Sequence, residues 1–311
     1  MSFWLRSATT FAFCVTSVFG ASVANPFDAA YTLVDLGSVS GVSTNYGGVT
    51  FLNGSTMLLG ANANTGNATI QAIQVARDGN GHITSFGNVS PYATAPNVDG
   101  GLAFGPGGVL FATGYSNNTL MEFLPGSTSP DKTITLPGAS NSVGTIQFIP
   151  AGNPYAGNVI IGSYSVSKWF TGTLTPDGNG TFDLTDFTQT EANGNGPEGI
   201  IYVPSGSPLF SGSKALVSEY GSGAIQAYDV NAFGAPTGTG VDFVTGLTGA
   251  EGATLDPVTG DFIFSTFGGG NHIIEIQGFA VPAGDTPEPS TFGLLAAALV
   301  AAGVRLRRNR L

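Results

Sequence analysis

The chain has 311 residues, of which 47 are glycine and only 9% are charged, against roughly 7% glycine and 25% charge in an ordinary soluble domain. With 42% hydrophobic residues, this composition excludes a helical bundle and wholesale disorder and suits many short strands joined by tight turns. Between residues 25 and 286 four basic residues stand against nineteen acidic ones, a net charge of −15, which excludes nucleic acid held through its phosphates as a partner.

Residues 1–24 have the order of a secretory signal peptide. Arg6 supplies the positive start, Ala8 to Phe19 the apolar stretch, and Ser22-Val23-Ala24 a small-x-small site for signal peptidase between Ala24 and Asn25. Cys14 is the only cysteine and lies inside this segment, so the remaining chain can form neither an intrachain disulfide nor a thiolate zinc site.

Residues 25–286 form the body. Tyr31-Thr-Leu-Val-Asp-Leu36 reads as an isolated N-terminal strand. A pattern then recurs five times: a short apolar strand, a turn, a second apolar strand and a third. The first strand is Gly48–Leu52, Gly101–Gly105, Thr145–Ile149, Gly199–Val203 and Gly252–Asp256 in turn. The residue after it is Asn53, Pro106, Pro150, Pro204 and Pro257, giving spacings of 53, 44, 54 and 53. Proline there ends a strand and opens a turn. Units of about 50 residues with four short strands each predict a β-propeller of about five blades, its ring closed by the strand at 31–36. A sixth blade fits if the long first or third spacing hides an extra sheet, and a β-sandwich or β-solenoid is the competing architecture. Asp78-Gly-Asn-Gly81 and Asp177-Gly-Asn-Gly180 resemble the start of calcium loops but lack the full acidic spacing, and read as hairpin turns.

Three units carry an acid just before the innermost strand: Asp99 two residues ahead of its glycine, Glu198 and Glu251 one residue ahead. In a propeller this position is the mouth of the central channel. Three carboxylates there repel one another unless a cation lies between them, and a hard divalent cation such as Ca²⁺ would suit, with Asn141 as a further oxygen donor. Carboxylates simply solvated at the mouth are the plain alternative. Tyr115, Tyr164 and Tyr220 each fall near the end of a second strand, where they either pack or line the channel and stack on sugars. His82 follows a turn and is expected at the surface; His272 is expected as a structural histidine. The chain has no Gly-x-Ser-x-Gly elbow and no phosphate loop with lysine.

The C-terminus has three parts in order: Pro287-Glu288-Pro289, an apolar run from Phe292 to Val304, and the cluster Arg305, Arg307, Arg308 and Arg310. The run suits a short transmembrane helix with its arginines held on the cytoplasmic side. Residues 287–311 closely resemble the PEP-CTERM sorting signal. That resemblance implies export from a Gram-negative bacterium, transient anchoring in the inner membrane, processing by an exosortase-type protease, and delivery to the cell surface or outside. A permanent C-terminal anchor is the alternative. Gly101–Phe123, and more loosely Gly252–Ile276, resemble the blades of NHL-repeat and gluconolactonase-like propellers. By that resemblance Glu198 or Glu251 would be a channel-metal ligand. The readings that follow are an exported, non-catalytic surface or matrix propeller acting as an interaction scaffold for exopolysaccharide or cell-surface components, or a metal-dependent hydrolase or lactonase with its site in the channel. A self-assembling coat protein is a third.

Overall fold

The four prolines mark where the inner strands stop, each falling two residues beyond the end of one. The computed structural model describes residues 20–139, 143–268 and 270–282. After β1 (Ser22–Val23) and β2 (Thr32–Gly37), blade 1 comprises β3 (Val49–Asn53), β4 (Thr56–Ala61), β5 (Thr69–Arg77) and β6 (Ile83–Thr94). Blade 2 comprises β7 (Val98–Phe104), β8 (Leu110–Gly114), β9 (Thr119–Phe123) and β10 (Lys132–Thr135). Blade 3 comprises β11 (Thr145–Phe148), β12 (Val159–Ser163), β13 (Lys168–Pro176) and β14 (Phe182–Ala192). Blade 4 comprises β15 (Pro197–Tyr202), β16 (Lys214–Glu219), β17 (Ala224–Val230) and β18 (Pro236–Thr245). Blade 5 takes β19 (Ala250–Leu255), β20 (Phe262–Thr266) and β21 (Ile273–Gln277).

Each blade is an antiparallel meander. Blade 5 receives its fourth strand from β2, with Leu33 opposite Ile276 and Val34 opposite Glu275. The protein is therefore a five-bladed propeller closed by its N-terminal strand, with no hidden sixth sheet among the described residues. One strand was not foreseen: β1 adds a fifth strand to the outer edge of blade 4, Ser22 pairing with Thr245 and Val23 with Val244.

Second strands are buried on both faces because neighbouring blades stack against them; Leu58, Phe111, Ile161, Leu216 and Phe264 are all fully buried. Burying one such side chain contributes roughly 1.5–3 kcal/mol, so the core is a ring of inter-blade layers rather than one central mass. At the axis the backbones themselves meet. A β-carbon on Gly252 would lie 2.5 Å from the Gly48 Cα, so only glycine allows blades 1 and 5 this approach. Hydroxyls on second strands tie one blade to the next: Ser265 of β20 donates to the Gly47 carbonyl at 2.6 Å and Thr113 of β8 to the Gly144 carbonyl at 3.1 Å.

Both Asp-Gly-Asn-Gly segments are hairpin turns, joining β5 to β6 and β13 to β14. Their aspartates serve the local backbone, Asp78 Oδ1 accepting from the Asn80 amide and Asp177 Oδ1 from the Asn179 amide, each at 2.8–2.9 Å. The segment before Gly20, Asn141 and the tail 287–311, with its sorting motif and arginines, lie outside the described residues. Among the described residues no helix is long and apolar enough to cross a membrane.

Candidate functional site

The three acids singled out from the sequence converge. Asp99 stands in β7, Glu198 in β15 and Glu251 in β19, and one carboxylate oxygen of each lies within 4.8 Å of the others. Their unequal distance from glycine is a bulge effect. The Tyr115 amide donates to the Asn97 carbonyl, Tyr220 to Gly196 and Phe267 to Gly249, at 2.8–2.9 Å. Each acid is two residues beyond that acceptor, so all three occupy one structural position. Blade 2 then skips from the pair Val98–Gly114 to Leu102–Ala112, whereas blade 4 goes from Pro197–Glu219 to Gly199–Ser218. The larger bulge in blade 2 inserts the extra residue before its glycine.

The site is sealed. Asp99, Glu198 and Glu251 are 0%, 4% and 2% exposed. Gly144 of blade 3 forms part of the wall, where a β-carbon would sit 2.6 Å from Glu198 Oε2. Glu198 Oε2 and Glu251 Oε1 are buried without a hydrogen-bond partner, while the Asp99 and Glu251 carboxyls hydrogen-bond to each other. Burial, and then the charges of Asp99 and Glu251, hold the Glu198 carboxyl well above the ordinary range. Burial and Asp99 do the same to Glu251. Three of the chain's cations are engaged elsewhere: Arg77 with Asp256, Lys132 with Asp177 and Lys214 with Asp229. A buried carboxylate without a partner costs several kcal/mol, so the cluster must either keep protons or hold a cation.

Over this cluster lies an aromatic rim. Tyr115, Tyr164, Tyr220 and Phe267 each follow the second strand of their blade. The Tyr164 and Tyr220 rings meet edge to face at 5.9 Å, and Tyr220 meets Phe267 at 6.3 Å. Burial, then the nearby Glu198 charge, raises the Tyr164 hydroxyl. Tyr164 and Tyr220 thus pack on one another, and Phe267 is a rim member the sequence reading missed although it shares their position.

A second cluster was also missed. His82, expected at the surface, has its Nδ1 2.6 Å from Asp261 Oδ2 across the seam between blades 1 and 5, and Glu275 lies within the same 4.8 Å group. Burial lowers the imidazole pKa, but the hydrogen bond and charge of Asp261 outweigh it and raise it. Here the oxygens are served: Thr259 donates to Asp261, and the Ile83 amide and Gln277 donate to Glu275. This is a self-satisfied seam. His272 has its Nδ1 2.9 Å from Asp35 Oδ1, a structural pairing between β21 and β2.

Residues 285–308 match the PEP-CTERM protein-sorting motif, which implies an exported protein anchored in the membrane before exosortase-type processing. A search of curated proteins finds no match to the chain. Solved structures similar in fold include a protein proposed as a 6-phosphogluconolactonase from Bacteroides uniformis, 17% identical, with 68% of this chain and 61% of that chain covered and a TM-score of 0.39. This chain therefore spans less than two thirds of that protein's length. Another is an auxiliary nutrient binding protein from Bacteroides thetaiotaomicron, 14% identical, covering 76% and 60%, TM-score 0.46. A third is proposed as a gluconolactonase, 17% identical, covering 84% and 87%, TM-score 0.46. Two of these three structures bear lactonase names, the kind of propeller whose blades Gly101–Phe123 resembles, and at such identities the likeness extends to the fold alone.

Proposed function

We propose that the protein is an exported, non-catalytic propeller that reaches the cell surface or extracellular space as an interaction scaffold, and that Asp99, Glu198 and Glu251 hold a divalent cation such as Ca²⁺ that ties blades 2, 4 and 5 together at the axis. The observation that carries this is the set of three carboxylates, nearly inaccessible, with buried oxygens on Glu198 and Glu251 that no donor serves. Oxygen-only ligands favour a hard cation over zinc or copper. The hydrolase or lactonase reading needs a substrate carbonyl to touch such an ion; acids only 0–4% exposed leave it no approach.

The test is metal content and melting temperature of the purified protein, with and without chelator, beside an Asp99→Asn/Glu198→Gln/Glu251→Gln variant. One equivalent of ion is expected in the wild type, with chelator lowering its melting temperature but not the variant's. An ion at 100 times its Kd adds about 2.7 kcal/mol, a clear shift. No ion and no chelator effect removes the cation. Ion-dependent hydrolysis of lactones or esters by the wild type would replace the scaffold reading with the enzymatic one.

A further inference from the structure

A groove of about 340 Å³ crosses the seam between blades 3 and 4, at the end of the strands opposite the carboxylates. Its floor is threonine: Thr171 and Thr173 on β13, Thr188 and Thr190 on β14. Thr171 and Thr190 share a hydrogen bond at 3.1 Å. At one side stand two exposed aromatics, Tyr155 from the β11–β12 loop and Phe233 from the β17–β18 loop, 38% and 41% exposed. Their rings are 5.0 Å apart and inclined at 53°, forming an open V.

The V is pre-built. Tyr155 and Phe233 each follow an asparagine by two residues, and each asparagine Oδ1 accepts the aromatic residue's amide at 2.9 Å. Asn153 Nδ2 donates to the Asn231 carbonyl, locking the two loops across the seam. Thr171 donates to the Phe233 carbonyl at 2.9 Å, fixing the aromatic loop to the threonine floor. Exposed aromatics held this firmly lose little entropy when something stacks on them.

The lining is selective in its chemistry. It offers hydroxyls and amides, the latter from Asn158 and Gln189, with one carboxylate, Asp186, and no cationic side chain. An anion would meet Asp186 unopposed. A purely apolar ligand would leave the hydroxyls without partners, which is unfavourable. A ring with an apolar C–H face and an equatorial belt of hydroxyls satisfies both halves. The volume is at the lower end for ligand sites, suited to one or two sugar rings.

We propose that this groove binds a neutral saccharide chain, stacked on Tyr155 and Phe233 and hydrogen-bonded to the threonine floor. This deepens the scaffold reading by giving its partner a chemical class, and it can fail separately from that reading. The experiment is affinity electrophoresis of the full chain through gels holding dextran, laminarin or galactomannan, all neutral, with alginate as the acidic comparison. Retardation by at least one neutral polymer is expected, weakened at least tenfold in Tyr155→Ala/Phe233→Ala. Thr188→Val, which leaves the loops intact, should weaken it severalfold, and Tyr220→Ala at the channel mouth should not. No retardation by any neutral polymer, retardation by alginate alone, or undiminished retardation in both groove variants would overturn the proposal. A result of that kind with the axial ion still present leaves the scaffold reading standing; ion-dependent lactone hydrolysis with saccharide retardation intact would overturn the scaffold reading alone.

Discussion

Glu122 and Glu275 perform one task at two seams. Each is fully buried on a third strand and accepts the first amide of the next blade's outer strand: Phe182 to Glu122 Oε2 at 2.9 Å, Ile83 to Glu275 Oε1 at 3.3 Å. Both amides follow an Asp-Gly-Asn-Gly turn. Burial pushes each carboxyl up to about 7 from an ordinary 4.5. Between those values the folded chain binds more protons than the unfolded one, so stability rises as pH falls from about 7 towards 4.5 and is lost as pH rises through 7. In chelator, which removes any axial ion, the melting temperature should be higher at pH 5.5 than at pH 8. Glu122→Gln keeps an oxygen for the Phe182 amide and deletes the charge. It should raise the melting temperature at pH 8 by several degrees, a shift of up to roughly 3 kcal/mol, and flatten the pH profile. A variant less stable than wild type at pH 8 would show that the charge is favourable there. These glutamates were not legible in the sequence as buried groups. In Leu120-Met-Glu-Phe123 and Ile273-Ile-Glu-Ile276 the alternation suggests a solvent face, but the adjoining blade covers that face. Asp99, Glu198 and Glu251 were legible because an acid beside an inner-strand glycine has few other places to point.

At the scale of elements, strand ends were read best. Pro106, Pro150, Pro204 and Pro257 lie two residues past β7, β11, β15 and β19, since a residue without an amide cannot continue a ladder. Asn53 replaces proline in blade 1, turning the chain with its own side chain, whose Oδ1 accepts the Ser55 amide at 2.9 Å. The outer strands were less legible. β6, β14 and β18 run 12, 11 and 10 residues, are largely polar and carry register shifts, so no clean alternation marks them. In the sequence, Ser22 and Val23 of β1 fall at the end of the predicted leader. Cleavage between Ala24 and Asn25 would remove it from blade 4, together with the buried Ala21 that packs in the cluster of Phe243 and Val244. The Ala24 amide also donates to the Phe243 carbonyl at 2.9 Å. Val18-Phe19-Gly20 ends in a small residue as well, so processing before Ala21 would spare the strand. Intact-mass measurement of the exported protein should place its first residue at Ala21; a first residue of Asn25 would show that blade 4 works with four strands.

For the whole molecule the critical joint is where the chain's two described ends meet. β2 closes blade 5, and behind it Phe27, Tyr31, Phe210, Phe243 and Phe279 form one aromatic cluster, Tyr31 lying 4.6 Å from Phe279 and 5.2 Å from Phe243. The Tyr31 hydroxyl donates to the Pro208 carbonyl of blade 4 at 2.6 Å. Phe279 lies only eight residues before Pro287, and the Ala280 amide still donates to Ser207 at 3.2 Å. Ring closure is therefore complete just before the sorting motif begins. Removal of the motif, the apolar run and the arginines should leave the propeller unaffected, as a processed exported protein requires. A chain ending at residue 286 should melt within a degree of the full-length protein in the same detergent. One ending at Gln277 loses Phe279 from the cluster; by analogy with deletion of a buried aromatic, that costs about 3–5 kcal/mol, and its melting temperature should drop by at least several degrees. Equal melting of all three chains would mean that β2 closes the ring without the aromatic cluster. A loss already present at residue 286 would mean that the tail belongs to the fold and that processing near Pro287 destabilises it.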